Sequence, residues 1–241
     1  MCSLQSLEDN VSGRSLEPKH RRTLLRWTTS AAGLALLGCA TTEATRTGAA
    51  STAEAEVTPG EDLMQEHGLL ERILLIYDEA ARRLDQSQPL DLGVLAHAAN
   101  LIRTFVEDYH EKNEEQFVFP RLRAAAREVT LVETLLSQHQ RGRALTDEIV
   151  LHTSAPASAE LAQLLRSFVR MYRPHAARED TVLFPAFREV VGAAAYRELG
   201  ERFEDKEHEL FGKQGFEREV SQVATLEEAL DIHDLASFTP L

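Results

Sequence analysis

Two stretches of this chain repeat one pattern, and the pattern limits what the chain can fold into. The first holds His110-Glu111-Lys112-Asn113-Glu114 and ends at Phe119-Pro120; the second holds His175-Ala176-Ala177-Arg178-Glu179 and ends at Phe184-Pro185. His to Glu is four residues in both, and His to Pro is ten in both. In an α-helix four residues turn through about 400°, which puts imidazole and carboxylate on one face, one turn apart. One further histidine lies upstream of each stretch near the middle of an apolar stripe, His67 before the first and His139 before the second. The chain thus reads as a helical hairpin carrying His and then His-x-x-x-Glu, used twice.

Apolar spacing supplies the helices. Thr58-Pro59-Gly60-Glu61 combines an N-cap threonine, proline at the first helical position and a capping-box glutamate. From there Leu63, Leu70, Ile73, Leu74 and Tyr77 form a buried stripe until about Leu84, and Gln86-Ser87-Gln88-Pro89 breaks it. Asp91 can cap a second helix, with Leu95, Leu101, Ile102, Phe105 and Tyr109 inward, expected to run until Pro120. A third helix is predicted from Thr130 to His152 and a fourth from Ala159 to about Val190. The loops are short, so neighbours should be antiparallel, and the fold class is an all-α, up-down-up-down four-helix bundle over 58–190. Residues 191–241 should add helices at Ala193–Phe211 and Phe216–Leu230, packed outside the bundle, and an irregular tail from Asp234.

Six polar residues then point into the bundle: His67, His110, Glu114, His139, His175 and Glu179. Left without partners, such groups cost about 1–3 kcal/mol each, so a bound ion is the economical explanation. Four imidazoles and two carboxylates suit hard-to-borderline first-row metals, and bridging glutamates would hold a pair of ions, iron being the first choice. The other histidines act as a control. His97 and His152 lie thirteen residues from His110 and His139, a step that faces them away, and His233 falls in the tail, so all three read as surface residues. Pro174, inside the fourth helix, should kink it and aim His175 at the metals. Tyr109 and Tyr172 could donate hydrogen bonds to ligands or be ordinary core.

Charge and cysteine content remove other functions. The net charge of −13 argues against a general binder of nucleic acid. Cys2 and Cys39 are the only cysteines, so beyond residue 39 thiolate metal sites, cysteine nucleophiles and disulfides are excluded. The longest uncharged run is 16 residues, Trp27 to Thr42, shorter than the about 20 needed to cross a bilayer. It follows Arg21-Arg22-Thr23-Leu24-Leu25-Arg26, the charged-then-apolar order of an export signal. The paired arginines resemble a twin-arginine signal, and Leu36-Leu37-Gly38-Cys39 resembles a lipobox. The expectation is a signal peptide over 1–38, lipidation of Cys39, a flexible tether over 39–57, and a periplasmic or lipid-anchored protein.

Met64-Gln65-Glu66-His67-Gly68, Asp108-Tyr109-His110-Glu111, Gln138-His139-Gln140 and Pro174-His175-Ala176-Ala177-Arg178-Glu179-Asp180 are similar to the signature segments of the hemerythrin-like proteins with the His-His-Glu cation-binding domain. The resemblance spans about residues 61–190. It implies a non-heme diiron centre bridged by oxygen, Glu114 and Glu179, with His67, His110, His139 and His175 as terminal ligands. Oxygen-carrying hemerythrins have another histidine one turn after the third-helix histidine; here that position is Arg143. Glu111, which resembles a ligand glutamate in an iron-sensing relative, and His208 in the fifth helix are the candidates to replace it. Water is the third, and would leave a position open for dioxygen, peroxide or nitric oxide.

The expected function is binding of iron and such a small ligand for carriage, sensing or sequestration. A diiron oxidase or peroxidase and a zinc-holding structural bundle are the alternatives. Binding is favoured over turnover because no cofactor motif, redox cysteine or electron-entry feature accompanies the site. No nucleic-acid partner is expected, and contact with a membrane only through Cys39.

Overall fold

The computed structural model describes residues 57–240. The expected signal over 1–38, the expected lipidation at Cys39 and nearly all of the expected tether lie outside the described residues. Helix α1 (Pro59–Asp85) opens on the expected capping box: Thr58 Oγ1 accepts the Glu61 N–H at 3.4 Å while the Glu61 carboxylate accepts the Thr58 N–H at 2.9 Å. Helix α2 spans 92–124, capped by Asp91, whose carboxylate accepts the Gly93 N–H at 2.8 Å. Helix α3 is Val129–Thr153 and α4 spans 159–191, capped by Ser158 through the Leu161 N–H. Helices α5 (Ala193–Phe211) and α6 (Gly215–Ala229) follow, and a 3₁₀ turn, Leu235–Phe238, lies within the tail. Gly192 (φ 74°) and Gly212 (φ 79°) adopt a positive φ, open to glycine for want of a Cβ, that lets the chain turn sharply before and after α5. No strand occurs among the described residues.

Helix α2 does not stop at Pro120 but continues to Ala124, which corrects the expected end. The reason lies just before the proline. The Phe119 N–H bonds the Glu114 carbonyl, five residues back, in a widened π-turn, and the Phe184 N–H bonds the Glu179 carbonyl in the same way. An α-helical turn would press the proline ring on the carbonyl four residues behind it; a turn with one extra residue relieves that contact, and the rod goes on. Pro174 causes no interruption: Ala159–Arg178 is continuously α-helical, and the widening falls later, at Glu179–Leu183.

Helix α1 packs chiefly along α4, α3 lies against α2 and α4, and α2 closes the ring against α1. The core consists of two apolar clusters. One includes Leu70 to Ala81 of α1, Leu95 to Tyr109 of α2, Leu145 and Ile149 of α3, and Leu161 to Ala176 of α4. The other takes Leu63, Val118 to Leu122, Val132, Leu135 and Leu183 to Phe187. On every bundle helix the two are separated by the stretch that carries His67, His110 to Glu114, His139, or Glu179, so the polar residues form a layer between apolar ends. The added helices do more than cover this bundle. Tyr196, Leu199 and Phe203 complete one cluster, and Val223, Leu226 and Leu230 complete the other.

Candidate metal centre

All six inward residues meet in that layer, each at most 4% exposed. The imidazoles stand in two pairs, His67 with His110 (ring centroids 4.7 Å apart) and His139 with His175 (5.0 Å). Each carboxylate reaches both pairs. Glu179 Oε2 lies 3.3 Å from His67 Nε2 and 3.1 Å from His175 Nε2, and Glu114 Oε2 lies 3.7 Å from His110 Nε2 and 3.4 Å from His139 Nε2. Ligand atoms of His67, His110, Glu114 and Glu179 all fall within 4.8 Å of one another, as do those of His139, His175 and Glu179. Phe184 stacks on His67 and Phe119 on His139, with centroids 5.6 and 5.4 Å apart. The aromatic of each Phe-Pro pair thus walls one side of the layer.

The outer nitrogens follow a rule that sequence reasoning missed. His110 Nδ1 bonds Glu66 at 2.7 Å, His139 Nδ1 bonds Glu115 at 3.2 Å, His175 Nδ1 bonds Gln138 at 2.9 Å, and His67 Nδ1 bonds Asp180 at 2.7 Å. Helix α1 holds the histidine of α2, α2 that of α3, α3 that of α4, and α4 that of α1, so the four bonds close a ring around the bundle. Each acceptor is an oxygen, so each Nδ1 donates, and each Nε2 is the nitrogen left facing inward, where it presents a lone pair whenever the imidazole is neutral. The available signal was adjacency: Glu66, Glu115, Gln138 and Asp180 each stand directly beside one of the six residues in the chain.

The layer is electrostatically unsettled without a cation. Nε2 of His67 and His139 and all four oxygens of Glu114 and Glu179 are buried and have no hydrogen-bond partner. Burial opposes a charge on His67, but Asp180 and Glu179 outweigh it and raise that imidazole to about 9. Burial and the neighbouring His67 push His110 down. His139 is lowered by burial to about 4, against the pull of Glu115. Burial and then the facing Glu179 push Glu114 up, whereas Glu179, itself opposed by burial, is held down by His175 and His67. Protons are thus distributed over groups whose lone pairs all converge. A cation would take their place, so the donor set fits one.

The remaining candidates separate. Glu111 reaches the rim, with ligand atoms of Glu111, Glu115 and His139 within 4.8 Å of one another. Its oxygens are already engaged: Arg143 pairs with Oε2 at 2.6 Å and the Tyr172 hydroxyl donates to Oε1 at 2.7 Å. Burial pushes the Glu111 carboxyl up, against Arg143 and Tyr172. Arg143, at the position of the absent histidine, also pairs with Glu115 at 2.8 Å and offers no lone pair of its own. The structure does not bring His208 to the centre: it is half-buried on α5, and its neighbour Glu207 takes the inward face. Tyr172 therefore bonds Glu111 rather than a histidine, and Tyr109 packs on Phe105 and Phe211. His97 faces away as expected but is half-buried, with Nε2 2.8 Å from Gln222 of α6. His152 is half-buried near Glu160, and His233 is exposed.

Comparison with known proteins agrees with this arrangement. The model of the hemerythrin HHE cation binding domain matches residues 58–187, the four bundle helices, and matches again over 131–236, which takes in α3 to α6. Uncharacterized proteins of Mycobacterium bovis and of two strains of Mycobacterium tuberculosis are 46% identical over 231 residues, covering 91% of this chain and 91% of each relative. No solved structure matches. With over half its length matched and the buried His/Glu layer in place, the chain belongs to the hemerythrin HHE cation-binding family.

Proposed function

We propose that this protein holds two iron ions bridged by oxygen, Glu114 and Glu179, with His67, His110, His139 and His175 as the terminal ligands, and binds dioxygen, nitric oxide or peroxide for carriage, sensing or sequestration. The closed ring of Nδ1 hydrogen bonds carries this reading. It turns the Nε2 atoms of all four imidazoles inward, from four different helices at once, while Nε2 of His67 and His139 and the oxygens of Glu114 and Glu179 have no hydrogen-bond partner. A diiron pair, when bound, supplies electrons to a small oxidant. The residues orient that pair, and Phe119 and Phe184 with the two apolar clusters keep water from it. Arg143 and Tyr172 hold Glu111 as part of the polar rim, where its carboxyl can keep or give up a proton. The charged-then-apolar N-terminal residues support export by a signal over 1–38 with Cys39 as the point of lipid attachment.

The test is metal analysis of the full chain, with absorption spectra taken anaerobically and then after air, azide and peroxide. Two irons per chain and an oxygenated band that reverses on deoxygenation are expected. Rapid loss of peroxide over many cycles would replace binding by a peroxidase, and stoichiometric zinc without iron would replace both. His110→Ala and Glu179→Ala should lose the iron while His97→Ala keeps it. Full iron in the first two variants would overturn the ligand assignment.

A further inference from the structure

A second group of oxygen donors lies outside the His/Glu layer, where α5 crosses α1 and α2. Ligand atoms of Asp62 and Glu66 from α1 and of Glu207 from α5 fall within 4.8 Å of one another, and Glu66 and Glu207 are only 2% and 5% exposed. The position of Glu207 is built in: Tyr196 at the other end of α5 accepts the Gly60 N–H at 2.9 Å, and Glu207 Oε1 accepts the Phe216 N–H at 3.0 Å across the α5–α6 turn. Three carboxylates brought together by folding repel one another unless a cation or protons intervene.

An independent observation comes from α2. Asn113 is 0% exposed, and neither its amide oxygen nor its amide nitrogen has a hydrogen-bond partner. Its place follows from the rings four residues to either side of it. Tyr109 packs on Phe211 (centroids 5.4 Å) and Phe117 packs on Phe203 (5.6 Å), so α2 and α5 run antiparallel and Asn113 lies opposite Glu207, midway between the two ring pairs. A buried carboxamide without partners, level with Glu207 on the facing helix, is unfavourable as a purely structural feature and suited to a cation.

We propose that Asp62, Glu66, Glu207 and the Asn113 carbonyl oxygen form a second cation site, for a hard divalent ion such as calcium or manganese. Every donor is an oxygen, with neither imidazole nor thiolate, which is the set such ions select and which contrasts with the imidazole-rich layer inside the bundle. The site joins the added hairpin to the bundle, because its donors come from α1, α2 and α5. It also touches the inner layer, since the other role of Glu66 is to accept the His110 Nδ1–H. The proposal does not depend on which metal the inner layer takes.

The test is titration of the full-length, iron-loaded protein with Mn²⁺, free ion being read by its electron paramagnetic resonance signal. One Mn²⁺ per chain should bind beyond the iron, be displaced by Ca²⁺, and raise the thermal midpoint. Glu207→Gln should weaken that binding at least tenfold with iron content unchanged. Asp62→Asn, at the half-exposed edge of the cluster, should do the same and serves where the buried substitution impairs folding. His139→Ala should lose inner metal and keep the Mn²⁺ site, so failure of the inner assignment and failure of this one read differently. Absence of Mn²⁺ uptake by the iron-loaded protein, uptake only at millimolar concentration, or unchanged uptake in both acidic-site variants would overturn the proposal.

Discussion

At the scale of single residues, the histidines matter less alone than with the oxygens that orient them. Gln138 is an informative member of the ring because it is uncharged, so replacing it leaves local charge unaltered. Gln138→Leu should lower metal affinity by about 10–100-fold, measured by competition with a chromophoric chelator, while Gln140→Leu on the exposed face should leave it unchanged. Gly142 is the second telling position. A Cβ there would lie 1.9 Å from the Tyr172 hydroxyl, so only glycine leaves room for the bond from Tyr172 to Glu111. Gly142→Ala should cost about 1–3 kcal/mol by overpacking, and the loss should be smaller in a Tyr172→Phe background, a coupling that denaturant titration of the four proteins reads directly. The four acceptors were not legible as such, because each serves a histidine on a different helix from its own.

At the scale of elements, the helices followed their apolar spacing closely, and the misread boundary has a specific cause. Proline stops an ordinary helix, but Pro120 and Pro185 each follow a widened turn that begins at a site glutamate, Glu114 or Glu179, so the same residues that break the α pattern let the rod continue. The last turns of α1 carry a separate feature. Glu79 is held below the usual carboxylate range chiefly by its hydrogen bond from Arg82, with Arg83 adding to it and burial opposing. A carboxyl whose value is lower folded than unfolded adds stability above its unfolded value, and that addition is lost as pH falls through the folded one. Glu79→Gln should therefore be less stable than the parent chain near neutrality, and the difference should shrink in acid-unfolding curves below about pH 4.5.

For the whole molecule, the decisive feature is that the residues after the bundle finish its core. Phe203 is 0% exposed and packs with residues of α2 and α4, so Phe203→Ala should destabilise the chain by about 3–5 kcal/mol. The unfolding should remain one transition, since the added helices share both apolar clusters with the bundle. Composition says nothing of which face an added helix turns toward the bundle, so the residues it contributes to the core were not readable from it. What the sequence determined by itself was local to single helices: the apolar stripes, the caps at Thr58 and Asp91, and the placing of His110 with Glu114 and His175 with Glu179 on common faces. These depend only on the pitch of the chain's own backbone. The tertiary structure alone decided which oxygen holds which imidazole, why Glu111 belongs to Arg143 and Tyr172, and that Glu207 rather than His208 faces inward. Those outcomes depend on how far one helix is rotated and slid against the next, which is settled by packing many side chains at once and leaves no periodic trace along the chain.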